Sequence, residues 1–250
     1  MAVQRDAGRH RLRWFGLVGG VVALVGALVA VAFSGALDVD RIEVTGVVRG
    51  EVAPIVATSG IESGDPLVAV DGSDVEDAVG GLPWVDEVAV SRSWFGTVGI
   101  DIVERVPVVG FVGPAGEVAL VDRSGRILEV SPLEERRDEG PGLLFVDGAQ
   151  PPGAPGSEIP DVSRPALAVA AALPPDVTAR IAQLEIAAGG DLRLVLRVPE
   201  GEEPGVVLLG NTTSLDAKVA SLATMLTRVD LTGLATIDLR VPSSPALTRR

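Results

Sequence analysis

The longest feature of the apolar pattern is the run WFGLVGGVVALVGALVAVAFSGAL, residues 14–37, which contains no ionisable side chain. As a helix its 24 residues reach about 36 Å at ~1.5 Å per residue, against a bilayer hydrocarbon core of about 30 Å. The pattern predicts a single transmembrane helix over 14–37, with Trp14 at one interface. A cleaved signal peptide is the rival reading. Ser34-Gly35-Ala36 supplies the small residues that cleavage requires, but the apolar run is longer than the usual ~7–15-residue core of such a peptide.

Beyond this run the periods shorten. Residues 39–44 (VDRIEV) alternate, with Ile42 and Val44 on one face of a strand. Residues 51–59 predict a short helix stopped by Gly60, and a second helix runs from a Ser73 or Asp74 cap to about Gly80. In 84–94, Trp84, Val88, Val90 and Trp94 share a face; in 98–105, Val98, Ile100 and Ile102 do. The intervening Phe95-Gly96-Thr97 predicts a hairpin. The order strand–helix–helix–strand–strand predicts a sheet covered by two helices.

Residues 117–121 and 126–130 predict a hairpin around Asp122-Arg123-Ser124-Gly125. The Pro/Gly-rich stretch 147–160 reads as loop, and 162–173 as a helix stopped by Pro174-Pro175. Strands follow at 179–187, 192–198 and 206–209. Leu215, Val219, Leu222 and Leu226 recur at helical spacing behind a Ser214 cap. Residues 234–241 (LATIDLRV) predict a last strand, after which Pro242 and Pro245 stop pairing. A terminal strand at a sheet edge would leave N–H and C=O groups open for a partner segment to add to.

Composition narrows the chemistry. There are no Cys and one His, His10, so disulfides, thiolate metal sites and Cys nucleophiles are excluded, and a Ser-His-Asp triad would need its base in the N-terminal tail. No cofactor or metal set is read from the sequence. Residues 1–13 carry +3, which leaves −16 for the rest of a chain of net charge −13. Nothing that acidic presents a phosphate-binding face. The same asymmetry orients the anchor, with the arginines Arg5, Arg9, Arg11 and Arg13 cytoplasmic and everything after residue 37 extracytoplasmic.

The motifs then resemble a known family. Leu82-Pro83-Trp84-Val85, followed by Val88, Val90, Arg92 and Trp94 and by Ile100, Val103, Glu104, Arg105 and Pro107, is similar to the signature of the POTRA (polypeptide-transport-associated) domain of the bacterial cell-division family FtsQ/DivIB. Leu120-Val121-Asp122 with Gly125 resembles its LVD..G turn. Gly210, Lys218, Leu222 and the run Ile237-Asp238-Leu239-Arg240-Val241-Pro242 resemble its last helix and strand. Phe95-Gly96 stands where the family has Pro after the tryptophan, and Val108-Val109 where it has Val-Ala.

The resemblance implies an α+β protein: cytoplasmic tail 1–13, transmembrane helix 14–37, POTRA domain 38–107 (β-α-α-β-β), a strand-rich β domain 108–242 with a C-terminal helix and edge strand, and tail 243–250. It implies no enzyme and no catalytic residue. The implied role is a divisome scaffold in the plasma membrane at the septum, linking early and late division proteins. The implied partners are FtsB- and FtsL-like bitopic proteins and the septal peptidoglycan synthase. It places the partner surface on Thr236, Asp238, Arg240, Val241 and Ser243, and gives Glu104-Arg105 a role in joining the two domains.

Competing readings remain. Asp71, Asp74, Glu76 and Asp77 lack the alternating ligands of a calcium loop and read as helix capping. A carboxylate pair of a membrane-tethered cell-wall hydrolase is the enzymatic alternative, and a POTRA-bearing assembly factor the third. Trp84 and Trp94 read as core or as ligand platforms. Asn211-Thr212-Thr213 matches a glycosylation pattern or a helix-start loop.

Overall fold

The computed structural model describes residues 14, 17–27, 37–93, 95–136, 143–147, 153–199, 201–228 and 233–250. The chain forms two compact units, Met1–Glu104 and Arg105–Arg250. The division falls after Glu104, so Arg105 and Pro107 of the expected POTRA domain belong to the second unit. Within the first unit, residues 17–27 are helical and exposed. Among the described residues no helix is long and apolar enough to cross a membrane. Most of the rest of 14–37 lies outside the described residues.

The folded part of the first unit is a three-stranded sheet in the order β1 (Arg41–Thr45), β3 (Thr97–Glu104), β2 (Val85–Ser93), with helices α1 (Val52–Ser59) and α2 (Gly72–Gly80). β1 runs parallel to β3 because two helices intervene; β2 and β3 form the expected antiparallel hairpin. Val98, Ile100 and Ile102 point into a core with Ile55 and Val79, as their alternation predicts. α1 ends on Gly60 at φ 66, the left-handed cap. The α2 cap is Asp71, two residues earlier than Ser73: its carboxylate accepts from the Ser73 N–H at 3.0 Å. A register shift between Val85 and Glu87 explains why Val85 is buried although Val88 and Val90 carry the inward phase afterwards.

The second unit is one nine-stranded sheet. Its strands are β4 (Pro107–Val112), β5 (Glu117–Asp122), β6 (Ile127–Pro132), β7 (Leu144–Asp147), β8 (Ile181–Ile186), β9 (Leu192–Leu196), β10 (Val206–Gly210), β11 (Leu234–Asp238) and β12 (Ala246–Arg249). Their spatial order is β12-β11-β10-β9-β8-β7-β4-β5-β6. The helices are α3 (Leu133–Arg136), α4 (Arg164–Ala172), α5 (Pro175–Thr178) and α6 (Leu215–Arg228). Leu167 and Val169 of α4 and Leu222 and Leu226 of α6 share one core with Phe111, Leu184, Leu194 and Val207 of the sheet.

Three strands escape the periodic pattern. β4 lies between β7 and β5 with Val109, Gly110 and Phe111 all buried, so it shows no alternation. β7 has only 4 residues. β12 is exposed at every position and follows Pro242 and Pro245. The last of these corrects the expected C-terminus. The strand beginning at Leu234 stops at Asp238 and not at Val241, and the two prolines bound a turn from which the chain returns antiparallel to β11.

Candidate partner-binding edge

The expected edge strand is interior. β11 pairs in parallel with β10 on one side and antiparallel with β12 on the other. A partner strand has no room beside β11, which overturns augmentation at 234–241. The two outer strands of the sheet are β6 and β12. The start of β6 is covered: the Ile127 N–H donates to Ser157 O at 2.8 Å, and Ile127 O accepts from Gly156 at 2.7 Å. β12 carries Leu247 opposite Ile237 and Thr248 opposite Thr236. The Arg250 N–H turns inward to Gly233 O at 2.9 Å. N–H groups alternate along a strand, so the Leu247 N–H points to the open side.

The residues assigned to the partner surface are divided by this geometry. Thr236 is half-buried within β11. Asp238 and Arg240 bind each other: Arg240 Nη2 donates to Asp238 Oδ2 at 2.6 Å, and the Arg240 N–H and Nε each donate to Oδ1 at 3.0 Å. The side-chain hydrogen bonds from Arg240, then its backbone N–H, hold the Asp238 carboxyl below the usual range. Val241 is exposed in the turn, its carbonyl accepting from Ser244 at 3.0 Å, and Ser243 is exposed beside it. All five lie on β11 or on the turn leading to β12. Next to that turn Ala220, Ser221, Thr224, Met225 and Pro245 line a shallow cavity of ≈ 300 Å³.

Behind the edge lies a cluster whose main member periodicity could not reveal. Lys218, the single lysine of the chain, is 1% exposed on α6. Its Nζ donates to Leu209 O and Asn211 O, both at 2.8 Å, and so straddles Gly210. Gly210 has φ 66, and a Cβ there would meet Arg240 Cγ at 3.1 Å. Burial pushes the Lys218 ammonium down, with Asp191 opposing. The Asn211 side chain accepts from the Thr213 N–H at 3.0 Å, the helix-start reading of that triplet.

The POTRA motif residues have structural partners. Leu82, Pro83 and Trp84 are half-buried and Val85 is buried; Trp84 lies against Gly50, where a Cβ would meet the ring at 2.7 Å. Trp94 lies outside the described residues. Arg92 donates to Val70 O at 2.6 Å. Glu104 accepts from the N–H groups of Val48, Arg49 and Gly50 at 2.8–3.1 Å. Burial pushes its carboxyl up, and these N–H groups with Arg49 outweigh that to lower it. Arg105 donates to Asp122 at 2.8 Å. Glu104 is thus engaged within its own unit and Arg105 within the other. Pro107 opens β4. Among the described residues no group of three or more His, Cys, Asp or Glu is placed to hold a metal.

Comparison with known proteins resolves what family this fold serves. The profile of the POTRA domain, FtsQ-type, matches residues 37–105, and that of cell division protein FtsQ/DivIB, C-terminal, matches residues 111–240. The chain belongs to the FtsQ/DivIB family. Cell division protein FtsQ of Mycolicibacterium smegmatis is 30% identical over 241 residues, 96% of this chain and 65% of that protein. FtsQ of Corynebacterium glutamicum is 37% identical over 111 residues, 44% of this chain and 50% of that protein. FtsQ of Mycobacterium leprae is 28% identical over 226 residues, 90% and 60%. The chain therefore spans less than two thirds of the length of these FtsQ relatives. FtsQ/DivIB proteins are a non-enzymatic cell-division family. The missed feature of this FtsQ-type chain is β12, which carries no apolar period; its one signal is Leu247, a single large apolar residue between Ala246 and Thr248.

Proposed function

We propose that this chain is a membrane-anchored scaffold of the divisome, recruiting FtsB- and FtsL-like partners by strand addition to β12. The reading keeps residues 1–13 in the cytoplasm and 14–37 as the anchor, followed by a POTRA domain that ends at Glu104 and a strand-rich partner-binding domain from Arg105 onward, whose last strand, Ala246–Arg249, is the docking strand. Scaffolding connects early division proteins to late ones at the septum, including the septal peptidoglycan synthase. The anchor is supported by 24 residues without a charge and by the exposed apolar side chains Leu17, Val22 and Leu24 on helical residues 17–27.

The observation that carries the reading is the single-sided pairing of β12. Main-chain groups along 246–248 would give affinity, and side chains around Thr236, Asp238, Arg240, Val241 and Ser243 would give choice of partner. The test is Leu247→Pro. Proline is tolerated in an edge strand where its missing N–H would face outward, so the fold should survive while one docking donor is lost. Arg240→Glu is the companion, aimed at acidic partner segments; the exposed pair it breaks contributes at most about 1 kcal/mol to folding. Both variants should stay folded and lose FtsB/FtsL-like partners in co-purification from membranes. Normal co-purification by two folded variants would contradict the reading.

A further inference from the structure

In the first unit the chain arrives from the apolar run beside the tip of the β2–β3 hairpin. The Asp40 N–H and the Arg41 N–H both donate to Gly96 O, at 2.7 and 3.1 Å. Leu37, the last residue of the run, accepts from the Leu67 N–H at 2.9 Å, and Asp38 bridges to Pro66. At this same end Phe95 is 88% exposed and Val68 46% exposed. Leu67, Val68, Arg92 and Ser93 line a cavity of ≈ 390 Å³ here. Phe95 and Val68 thus leave two large apolar side chains open to solvent at the end where the apolar run enters the unit.

We infer that Phe95 inserts into the outer headgroup–acyl boundary of the bilayer and seats the POTRA domain against the membrane, an inference that rests on residues 14–37 being a membrane anchor. Distances favour it. Leu37 to Asp40 is three residues, a reach of at most about 11 Å. The interfacial layer beyond the hydrocarbon is about 5–8 Å thick on each side; the reach is an upper limit of the same order, so a ring next to Gly96 can enter that layer. Amphipathic and aromatic side chains collect at that depth. The insertion is apolar and not electrostatic: Asp38, Asp40, Glu62 and Asp65 cluster at the same end, and the Asp40 carboxylate lies 2.6 Å from where a Gly96 Cβ would stand. These carboxylates outnumber Arg41 and Arg92 at the same end, so anionic headgroups add no attraction to the face.

The absence of cysteine makes the test direct. Phe95→Cys and, separately, Val48→Cys are introduced in the full chain, labelled with an environment-sensitive fluorophore and reconstituted into phosphatidylcholine vesicles, with and without phosphatidylglycerol. Val48 is 85% exposed but lies past the far end of β1, a strand that rises about 16 Å. The label at 95 should shift to the blue and lose most of its intensity to a headgroup-level lipid quencher in both vesicle types; the label at 48 should do neither. A protein that floats with the vesicles while its label at 95 stays unquenched overturns the insertion alone. Quenching at 95 only with phosphatidylglycerol also overturns it, in favour of charge-driven adsorption. Failure to float overturns the anchor, and the insertion with it.

Discussion

Lys218 braces the end of β10, two strands in from β12. Its ammonium holds the carbonyls on both sides of Gly210, at the end of β10, and Arg240 packs over the same glycine. Lys218→Met keeps the volume and removes both donors. Hydrogen bonds from a charged donor contribute roughly 1.5–3 kcal/mol each, and sparing the buried charge returns part of that. A net loss of about 2–3 kcal/mol is expected, read in calorimetry as a melting point lower by roughly 5–10 °C; an unchanged melting point would remove Lys218 from this role. Asp122 makes a pH prediction. Burial raises its carboxyl, but the Ser124 hydroxyl, Arg105 and the N–H groups of Arg126 and Ser124 together lower it. The folded state therefore binds fewer protons than the unfolded one near pH 4. The stability this contributes is present above the ordinary aspartate value of about 3.9 and is lost as pH falls through the lowered one. Glu104 acts in the same direction in the other unit. In acid denaturation Asp122→Asn should be less stable than the native chain at neutral pH and converge with it as acid protonates Asp122; parallel curves would contradict this.

At the scale of elements, Trp84 is half-buried where the hairpin pattern predicts a fully inward ring, because the shift at Val85–Glu87 resets the inward phase. Trp84→Ala should cost less than the about 3–5 kcal/mol of a fully buried aromatic. Gly50→Ala should also destabilise, by about 1–3 kcal/mol, since its methyl meets the Trp84 ring. Urea titration of each checks the pair, and coupling between them would show as less than additive losses. These residues also mark what a sequence can disclose. β1, β3 and the two POTRA helices were legible because each buries one face and so imposes a period on its residues. β4 was not, since it is buried on both faces, and β12 was not, since it is buried on neither. The Asp238–Arg240 pair was hidden for a different reason: nothing in an i,i+2 spacing distinguishes an exposed strand residue from one clasped by its neighbour. The proposed partner residues thus come from resemblance, whereas the strand proposed to use them comes from the fold.

At the scale of the whole molecule, the proposed function gives the chain two interfaces, a bilayer at residues 14–37 and a sheet edge at β12. A reporter active only outside the cytoplasm, fused after Arg250, should be active; activity confined to the cytoplasm would refute the orientation set by Arg5, Arg9, Arg11 and Arg13. The central claim is that a partner completes the nine-stranded sheet at β12. Its most direct measurement is amide hydrogen exchange of the full chain, free and in complex with an FtsB-like partner. Strand addition predicts slowed exchange at Leu247 and its β12 neighbours on binding, with little change at β6, the opposite edge. Exchange in Ala246–Arg249 as fast in a stable complex as in the free chain would contradict it.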